Sequence, residues 1–119
     1  MPRYVFLVFS DPANGQDAQY NDWYDHTHLR DVLKIPGFVA AERFKLQPSR
    51  SGEPAPPWSY AAFYEIETDD LPGAMEELRI RIGTSAMLMS PAFDLSTTKG
   101  FIAVPIGHQK AEPATSGNG

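Results

Sequence analysis

The sequence predicts a single α+β domain with the element order βαββαβ. Four stretches have the composition and alternation of strands, and two have apolar residues at helical spacing. Clusters rich in Pro, Gly, Asn and Asp separate them, as expected for turns and loops. The length of 119 residues allows one hydrophobic core but is too short for two domains.

The chain begins with a predicted strand and a long predicted helix. Residues 4–9 are uniformly apolar, which favours a strand covered on both faces. A turn cluster follows at residues 11–15, where Asn14 is a suitable N-cap for the helix. The helix is expected to continue to about Lys34, because a proline follows closely at position 36.

The second predicted strand follows directly after the first helix. Pro36 disfavours helical geometry at Ile35, and Gly37 allows the chain to reverse. Residues 38–46 then have strand character. Simple alternation places Phe38, Ala40, Glu42, Phe44 and Leu46 on one face and Val39, Ala41, Arg43 and Lys45 on the other.

The second half of the chain repeats the pattern of strand, helix and strand. Residues 47–57 hold four prolines and read as an exposed hairpin loop, after which residues 58–67 form the third strand. A helix over residues 71–82 is capped by Asp69 or Asp70. Its apolar stripe consists of Leu71, Met75, Leu78 and Ile82.

The last part of the chain contains a loop, a strand and a tail. Residues 83–96 form a connection rich in Met and Ser and broken by Pro91. Residues 97–106 have the alternation of a fourth strand. The residues from 107 to 119 are small and polar, which predicts a disordered tail after a domain of residues 1–106.

This element order is that of a ferredoxin-like sandwich, in which two helices cover one face of a four-stranded antiparallel sheet. The first strand is apolar on both faces, and so is much of the last. The face without helices would therefore expose a large apolar area, which monomers rarely tolerate. We expect two sheets to pair face to face in a homodimer, because this would bury that area.

Composition narrows the classes of function. Fifteen acidic and ten basic residues give a net charge of −5, which disfavours nucleic acid and anionic membranes as partners. The absence of cysteine excludes thiolate catalysis and cysteine metal sites. No apolar run is long enough for a membrane span or a signal peptide, so a cytoplasmic protein is expected. No phosphate-binding loop, zinc motif or serine nucleophile motif is present.

The first helix carries the residues most suggestive of chemistry. At 100° per residue, one face holds an imidazole among aromatic and aliphatic side chains: Tyr20, Tyr24, His28, Val32 and Ile35. Asp25 and Asp31 lie one turn on either side of His28. Nearby carboxylates favour the imidazolium whereas burial disfavours it, so the two effects could hold its pKa near neutrality. The alternative is a core histidine with a structural hydrogen bond.

The run YNDWYDHTHLRDVLKIPGFVAAERF resembles the motif of the EthD-like branch of the dimeric α/β-barrel superfamily, (F/Y)xxWYxxxHxPxxxxxPGF. The strand order agrees over about residues 3–106. One departure is Arg30, which stands where many members have proline. The resemblance implies a pocket between helices and sheet within each subunit. The matching residues are Tyr20, Trp23, Tyr24, His28, Pro36, Gly37 and Phe38.

The superfamily includes muconolactone-type isomerases, polyketide cyclases, aldoxime dehydratases, haem-handling enzymes and cofactor-free oxygenases, so fold alone does not select a reaction. We consider His28 and Tyr24 as catalytic residues, in which the imidazole moves a proton and a phenol stabilises an oxyanion. Packing is the alternative for each tyrosine. The candidates for substrate binding are Tyr20, Trp23, Tyr60, Tyr64 and Arg43. Arg43 could bind a substrate carboxylate, but a salt bridge at the surface or dimer interface is favoured for it, as core packing is for Trp23.

Three functions are compatible with these residues. The first is a lyase or isomerase without cofactor or metal, acting on a small aromatic, lactone or polyketide-like acid. The second is a non-catalytic or stress-responsive dimer that binds small molecules. The third is an oxygenase, either cofactor-free or haem-dependent. The apolar residues Met87, Met89 and Phe93 could form a lid over the pocket or could simply pack in the core.

Overall fold

The computed structural model describes residues 1–113 and contains one four-stranded sheet with the spatial order β2-β3-β1-β4. All neighbouring strands are antiparallel. Two helices accompany the sheet, so the predicted ferredoxin-like α+β fold is confirmed. The strands are β1 (Arg3–Ser10), β2 (Phe38–Lys45), β3 (Tyr60–Glu67) and β4 (Lys99–Ala103).

The first helix is continuous but changes its hydrogen-bonding pattern along its length. It is α-helical over Asp17–Trp23, π-helical over Tyr24–His28 and α-helical again over Leu29–Val32. The second helix spans Leu71–Arg81 and a short 3₁₀ helix spans Leu95–Thr97. No helix in residues 1–113 combines the length and apolar character needed to cross a lipid bilayer.

The start of the first helix differs from the prediction. Gln16, not Asn14, is the N-cap, and it makes no side-chain hydrogen bond to the first turn. Gly15 has a φ of 75°, so the chain turns there in the left-handed region that favours glycine. This turn separates Asn14 from the helix, and the prediction of Asn14 as the cap is wrong.

The second helix begins as predicted, with Asp70 as its N-cap. The Asp70 carboxylate accepts a hydrogen bond from the Gly73 N–H at 3.0 Å. Ala74 and Leu78 are the buried residues of this helix. Ile82, which was expected in the buried stripe, lies just beyond the helix end and is 41% exposed.

The fourth strand is shorter than the predicted range of 97–106. Before it, residues 95–97 form a 3₁₀ turn instead of a strand. The Asp94 carboxylate caps that turn by accepting a hydrogen bond from the Ser96 N–H at 3.0 Å. After it, pairing with β1 ends at Val5 and Ala103. Continued register would place Pro105 opposite Arg3, and proline has no N–H to donate to the ladder.

A β-bulge at the start of β2 changes which residues face the helices. The register shifts between Phe38 and Ala40, so Val39 is an extra residue. The prediction of simple alternation through this strand is wrong for this reason. Phe38 lies on the same face as Ala41 and Arg43, because their partners on β3 are Ile66, Tyr64 and Ala62.

The core lies between the first helix and the inner face of the sheet. The predicted stripe of this helix is buried along its whole length, because residues four apart return to the same side. The fully buried side chains of the core come from helix, sheet and loop: Tyr20, Tyr24, Val32, Ile35, Tyr64, Ile66 and Met87.

The outer face of the sheet is mainly apolar and has no helix on it. Phe101 is 52% exposed and Phe44 is 37% exposed. The tail from residue 104 to 113 is exposed and has no helix or strand, and residues 114–119 of the predicted tail lie outside the described range. The register places these residues on the outer face: Arg3, Val5, Leu7, Phe9, Ala40, Glu42, Phe44, Ala61, Phe63, Glu65, Glu67, Lys99, Phe101 and Ala103.

Candidate functional site

A cavity of about 150 Å³ lies between the first helix and the inner face of the sheet. The two helices, three strands and the loop before β4 all contribute to its wall. Ile82 and Leu95, which are 41% and 64% exposed, lie on its solvent side. The lining residues are Phe6, Val8, Tyr24, His28, Val32, Tyr64, Leu78, Ile82, Met89, Phe93, Leu95, Thr98 and Gly100.

The π-helical turn contributes two of the polar residues of this cavity. The Leu29 N–H donates to the Tyr24 carbonyl, five residues back, so this turn holds one more residue than an α-helical turn. Tyr24 and His28 are the first and last residues of the segment. Such turns are rare and occur often at functional sites. The apolar periodicity of the sequence contains no sign of it.

His28 is buried in an environment that keeps its imidazole neutral. The residue is 7% exposed, and its Nδ1 atom has no hydrogen-bond partner. The indole ring of Trp23 stacks on the imidazole at 4.4 Å between centroids. Burial lowers the pKa of His28 to about 4, and the nearby Asp31 carboxylate only partly opposes this effect.

The prediction that carboxylates and burial together hold the pKa of His28 near neutrality is therefore wrong. Two carboxylates flank His28 in the sequence, but the structure directs only one of them to the imidazole. Asp25 instead binds Arg43, with 2.6 Å between Oδ1 and the guanidinium. Only the Asp31 carboxylate acts on the imidazole, so burial is the larger effect and lowers the pKa of His28.

Two phenols accompany the imidazole. Burial, followed by the nearby Tyr20, raises the pKa of Tyr24 to about 12. Burial and then the Tyr24 phenol raise the pKa of Tyr64 well above its ordinary value. The Tyr64 hydroxyl is buried close to the Tyr24 hydroxyl but makes no hydrogen bond of normal geometry. Both phenols are therefore uncharged donors at neutral pH.

The cavity carries no formal charge at neutral pH. Among residues 1–113, its lining includes no Asp, Glu, Lys or Arg. The remaining polar side chain is Thr98, whose hydroxyl donates to the Asp94 carbonyl at 2.7 Å. A ligand here would contact aromatic and aliphatic surface together with a few uncharged polar groups, which is the usual composition of small-molecule sites.

Arg43 lies outside the cavity lining and makes its contacts elsewhere, although its buried Nε atom has no hydrogen-bond partner. Its guanidinium donates to Asp25 at 2.6 Å and to the Asn21 side-chain oxygen at 2.8 Å. It also lies over the rings of Tyr24 at 4.4 Å and of Tyr20 at 5.4 Å. These contacts give Arg43 a structural role between the first helix and the sheet.

Three further candidates also lie outside the lining. The Tyr20 and Ser10 hydroxyls are 2.5 Å apart, and the Tyr60 hydroxyl accepts from the Asn21 side chain at 3.3 Å. Trp23 stacks behind His28 and donates its indole N–H to the Leu88 carbonyl at 3.0 Å. Of the seven candidates from the sequence, the structure thus brings together His28, Tyr24 and Tyr64 at the cavity.

The loop before β4 supplies lining residues, two of which the sequence suggested as part of a lid over the pocket. Met89 and Phe93 line the cavity, whereas Met87 is fully buried in the core. Backbone hydrogen bonding between Ala13 and Ala92, at 2.6 Å, ties this loop to the turn after β1. The apolar residues of the loop were the available signal, but nothing in the sequence predicted the position of Thr98.

No group of three or more His, Asp or Glu side chains within residues 1–113 is arranged to hold a metal ion. The two histidines of the first helix, His26 and His28, differ greatly in environment. His26 is exposed and contacts Asp22, whereas His28 lies against the cavity.

Comparison with known proteins shows a similarity to a solved structure. The sequence matches no protein-family model and no curated protein. The solved structure of an EthD family protein from Bacillus halodurans is similar to this chain, with 15% sequence identity and a TM-score of 0.49. The similarity covers 89% of this chain and 100% of that one. The fold assignment rests on the strand order and helix positions described above.

Replacing Arg43 by methionine tests its structural role. The variant keeps most of the side-chain volume but leaves Asp25 and Asn21 without their partner. We expect the free energy of unfolding to fall by about 2 kcal/mol, since Asp25 can still reach water. Urea denaturation measures the change. The matched control is Arg79→Met, which removes an exposed pair with Glu76 and should have little effect. An R43M effect no larger than that of R79M would contradict this role.

The buried neutral imidazole of His28 predicts a specific pH dependence of stability. Its pKa is about 4 in the folded chain and about 6.5 when exposed in the unfolded chain. Between these values the unfolded state binds more protons, so the free energy of unfolding falls as the pH decreases from about 6.5 to about 4. The loss from this group approaches about 3 kcal/mol.

Denaturant titrations of the wild type and of His28→Asn across this pH range measure the effect. In the H28N variant, the free energy of unfolding should lose the part of its pH dependence that comes from this group. The control His26→Asn removes an exposed imidazole and should retain that pH dependence. Equal slopes for the wild type and H28N would show that His28 is not buried as a neutral group.

Proposed function

We propose that this protein is an isomerase or lyase that works without a cofactor and moves a proton on a small aromatic or lactone-like compound. The observation that carries the proposal is the cavity beside His28. A neutral imidazole with an unpartnered nitrogen and a phenol with an unpartnered hydroxyl both belong to its wall. Unpaired buried polar atoms are costly in a fold, and their presence at a cavity favours a ligand-binding role.

The chemistry follows from the charge states of these groups. A neutral imidazole can accept a proton from a carbon next to a carbonyl group. The electron pair of the broken C–H bond then moves to the carbonyl oxygen, where Tyr64 or Tyr24 donates a hydrogen bond to the developing oxyanion. Return of the proton from His28 to a different carbon completes an isomerisation. Loss of a leaving group from the enolate instead completes an elimination.

Desolvation affects this reaction in two opposite ways. It makes His28 a weak base in the empty cavity, as its pKa of about 4 indicates. Once the proton has moved, however, an imidazolium and an enolate face each other where water is excluded, and their attraction is stronger than in water. The hydrogen bond from Tyr64 adds to this stabilisation, since that hydroxyl has no other partner.

A second candidate is a binding protein without catalysis, and one observation favours it. The Nδ1 atom of His28 has no acceptor or donor to fix the tautomer and orientation of the ring. Catalytic histidines usually have such an orienting partner. In this case the cavity would hold its ligand through the same contacts without turnover.

We also propose that the outer face of the sheet binds a second copy of the chain. Nine of the fourteen side chains that the strand register places there are apolar, and the five charged ones include Arg3 and Glu67 at the end of the β1–β3 ladder. Face-to-face pairing of two such sheets buries aromatic side chains that are partly exposed in one copy, such as Phe101 and Phe44. The cavity lies on the opposite face of the sheet, so each subunit would keep its own site.

Proton exchange tests the enzymatic proposal without knowledge of the natural substrate. A panel of small cyclic ketones, lactones and phenols is incubated with the protein in deuterated water, and deuterium incorporation is followed by NMR. We expect the wild type to accelerate exchange for some members of the panel. H28N should reduce that rate by a factor of about 100 or more, because the base is lost.

The pH profile provides a further constraint on this reaction. Because the neutral imidazole is the base, kcat/KM should fall only below a pH of about 4 and be level above it. The matched control is H26N, which should exchange at the wild-type rate. Exchange that H28N retains would refute the assignment of the base, and binding without exchange across the panel would favour the second candidate.

Sedimentation velocity at micromolar concentration tests the dimer. We expect the wild type to sediment as a dimer and Phe101→Glu to sediment as a monomer, because the new charge would be buried between the sheets. Ile80→Glu is the matched control, since Ile80 is similarly exposed at 53% but lies on the second helix. A monomeric wild type would rule out this interface.

A further inference from the structure

We infer that the ligand of the His28 cavity is an electrically neutral molecule the size of one six-membered ring, carrying a hydroxyl or carbonyl oxygen. The inference rests on the proposed role of this cavity as the ligand site. It replaces the carboxylic acid expected from the sequence with an uncharged compound such as a phenol, a cyclic enone or a small lactone. Three properties of the cavity support it.

The first property is size. A volume of about 150 Å³ is comparable to that of the apolar cavities that accept a benzene molecule. The walls are aromatic on several sides, with the rings of Phe6, Tyr64 and Phe93 among the lining residues. Gly100 also belongs to the wall, and a Cβ there would lie 2.9 Å from the Phe6 ring, so the lining is tightly packed at this point. A single ring fills this space, whereas a fused-ring polyketide would extend past Ile82 and Leu95 into solvent.

The second property is the absence of a balancing charge. A carboxylate that enters an apolar cavity needs a cation, and no Lys or Arg among residues 1–113 lines this one. Arg43, the cation that lies against Tyr24, is already paired with Asp25. Asp31 is the charged group that acts on His28, and its negative charge opposes a second anion nearby.

The third property is a pair of buried polar atoms, on two residues of the lining, that lack a hydrogen bond of normal geometry. After a small rotation of its side chain toward the cavity, the Tyr64 hydroxyl could donate to a carbonyl or hydroxyl oxygen of a ligand, and the His28 imidazole could accept from a ligand hydroxyl or donate from its N–H. One uncharged oxygen on the ligand is thus sufficient to satisfy a group that the fold leaves unpaired. A pure hydrocarbon would fit by shape but leave both atoms unsatisfied.

Calorimetric titration at neutral pH with benzamide and benzoate tests the charge requirement directly. These two compounds have nearly the same size and shape and differ in charge. We expect benzamide to bind and benzoate to bind at least about 100-fold more weakly, because nothing in the cavity balances the carboxylate. Benzoate that binds as tightly as benzamide would overturn the inference, and so would the failure of both benzamide and phenol to bind.

A second comparison locates the ligand in this cavity. Phenol should bind more tightly than toluene, and Tyr64→Phe should weaken phenol by roughly 3- to 10-fold while leaving toluene unchanged, because one hydrogen bond is lost. An equal effect of Y64F on both compounds would contradict the predicted contact. The benzamide and benzoate comparison uses the wild type, so it remains decisive even if Y64F does not fold.

The binding and proton-exchange experiments together distinguish a failure of this inference from a failure of the proposed function. Binding of phenol or benzamide without any proton exchange would leave the neutral ligand in place and refute catalysis. Aromatic carboxylic acids are therefore added to the exchange panel. Exchange that depends on His28 but occurs only with these acids would refute the neutral ligand and leave catalysis in place.

Discussion

Arg43 is a cation placed beneath the first helix, in contact with the aromatic side chains that form the core. Its side chain is 12% exposed, and it lies on the rings of Tyr20 and Tyr24 while donating to Asp25. This ion pair joins β2 to the first helix and keeps the net charge of the region close to zero. Because Asp25 is occupied in this way, it does not act on the imidazole one turn further along. Burial of His28 and the absence of charged side chains from the lining keep the cavity neutral, while this ion pair holds Arg43 and Asp25 outside it.

Much of this arrangement could be predicted from the sequence because it depends on local periodicity. Side chains at Tyr20, Tyr24, His28 and Val32 recur every four residues, and burial of that face follows from helical geometry alone. The strand order followed from alternation and turn residues in the same way. Pro36 and Gly37 marked the end of the first helix, because proline restricts the residue before it and the glycine adopts a φ of 97°.

The features that could not be predicted depend on contacts between distant segments. The bulge at Val39 is one example, since only pairing with β3 shows that Phe38 and Arg43 face the same side. Another is the π-helical turn, which adds a residue without altering the apolar pattern. The wall formed by Met89 and Phe93 comes from a loop with no periodicity. These three features decide which of the aromatic candidates reach the cavity, so the sequence alone proposed more site residues than the structure brings together there.

The same desolvation that weakens His28 as a base explains why the tyrosines matter. A proton that moves to a buried imidazole creates a cation where water cannot solvate it, and this step is favourable only if the opposite charge is stabilised nearby. Tyr64 has the properties needed, since its hydroxyl is buried and unpartnered and its raised pKa keeps it protonated. A substrate that arrived with its own negative charge would incur that desolvation cost before any chemistry began. A neutral substrate develops negative charge only in the transition state, at the oxygen that Tyr64 can reach. The uncharged cavity therefore disfavours the binding of an anionic substrate more than it disfavours the transition state of a neutral one.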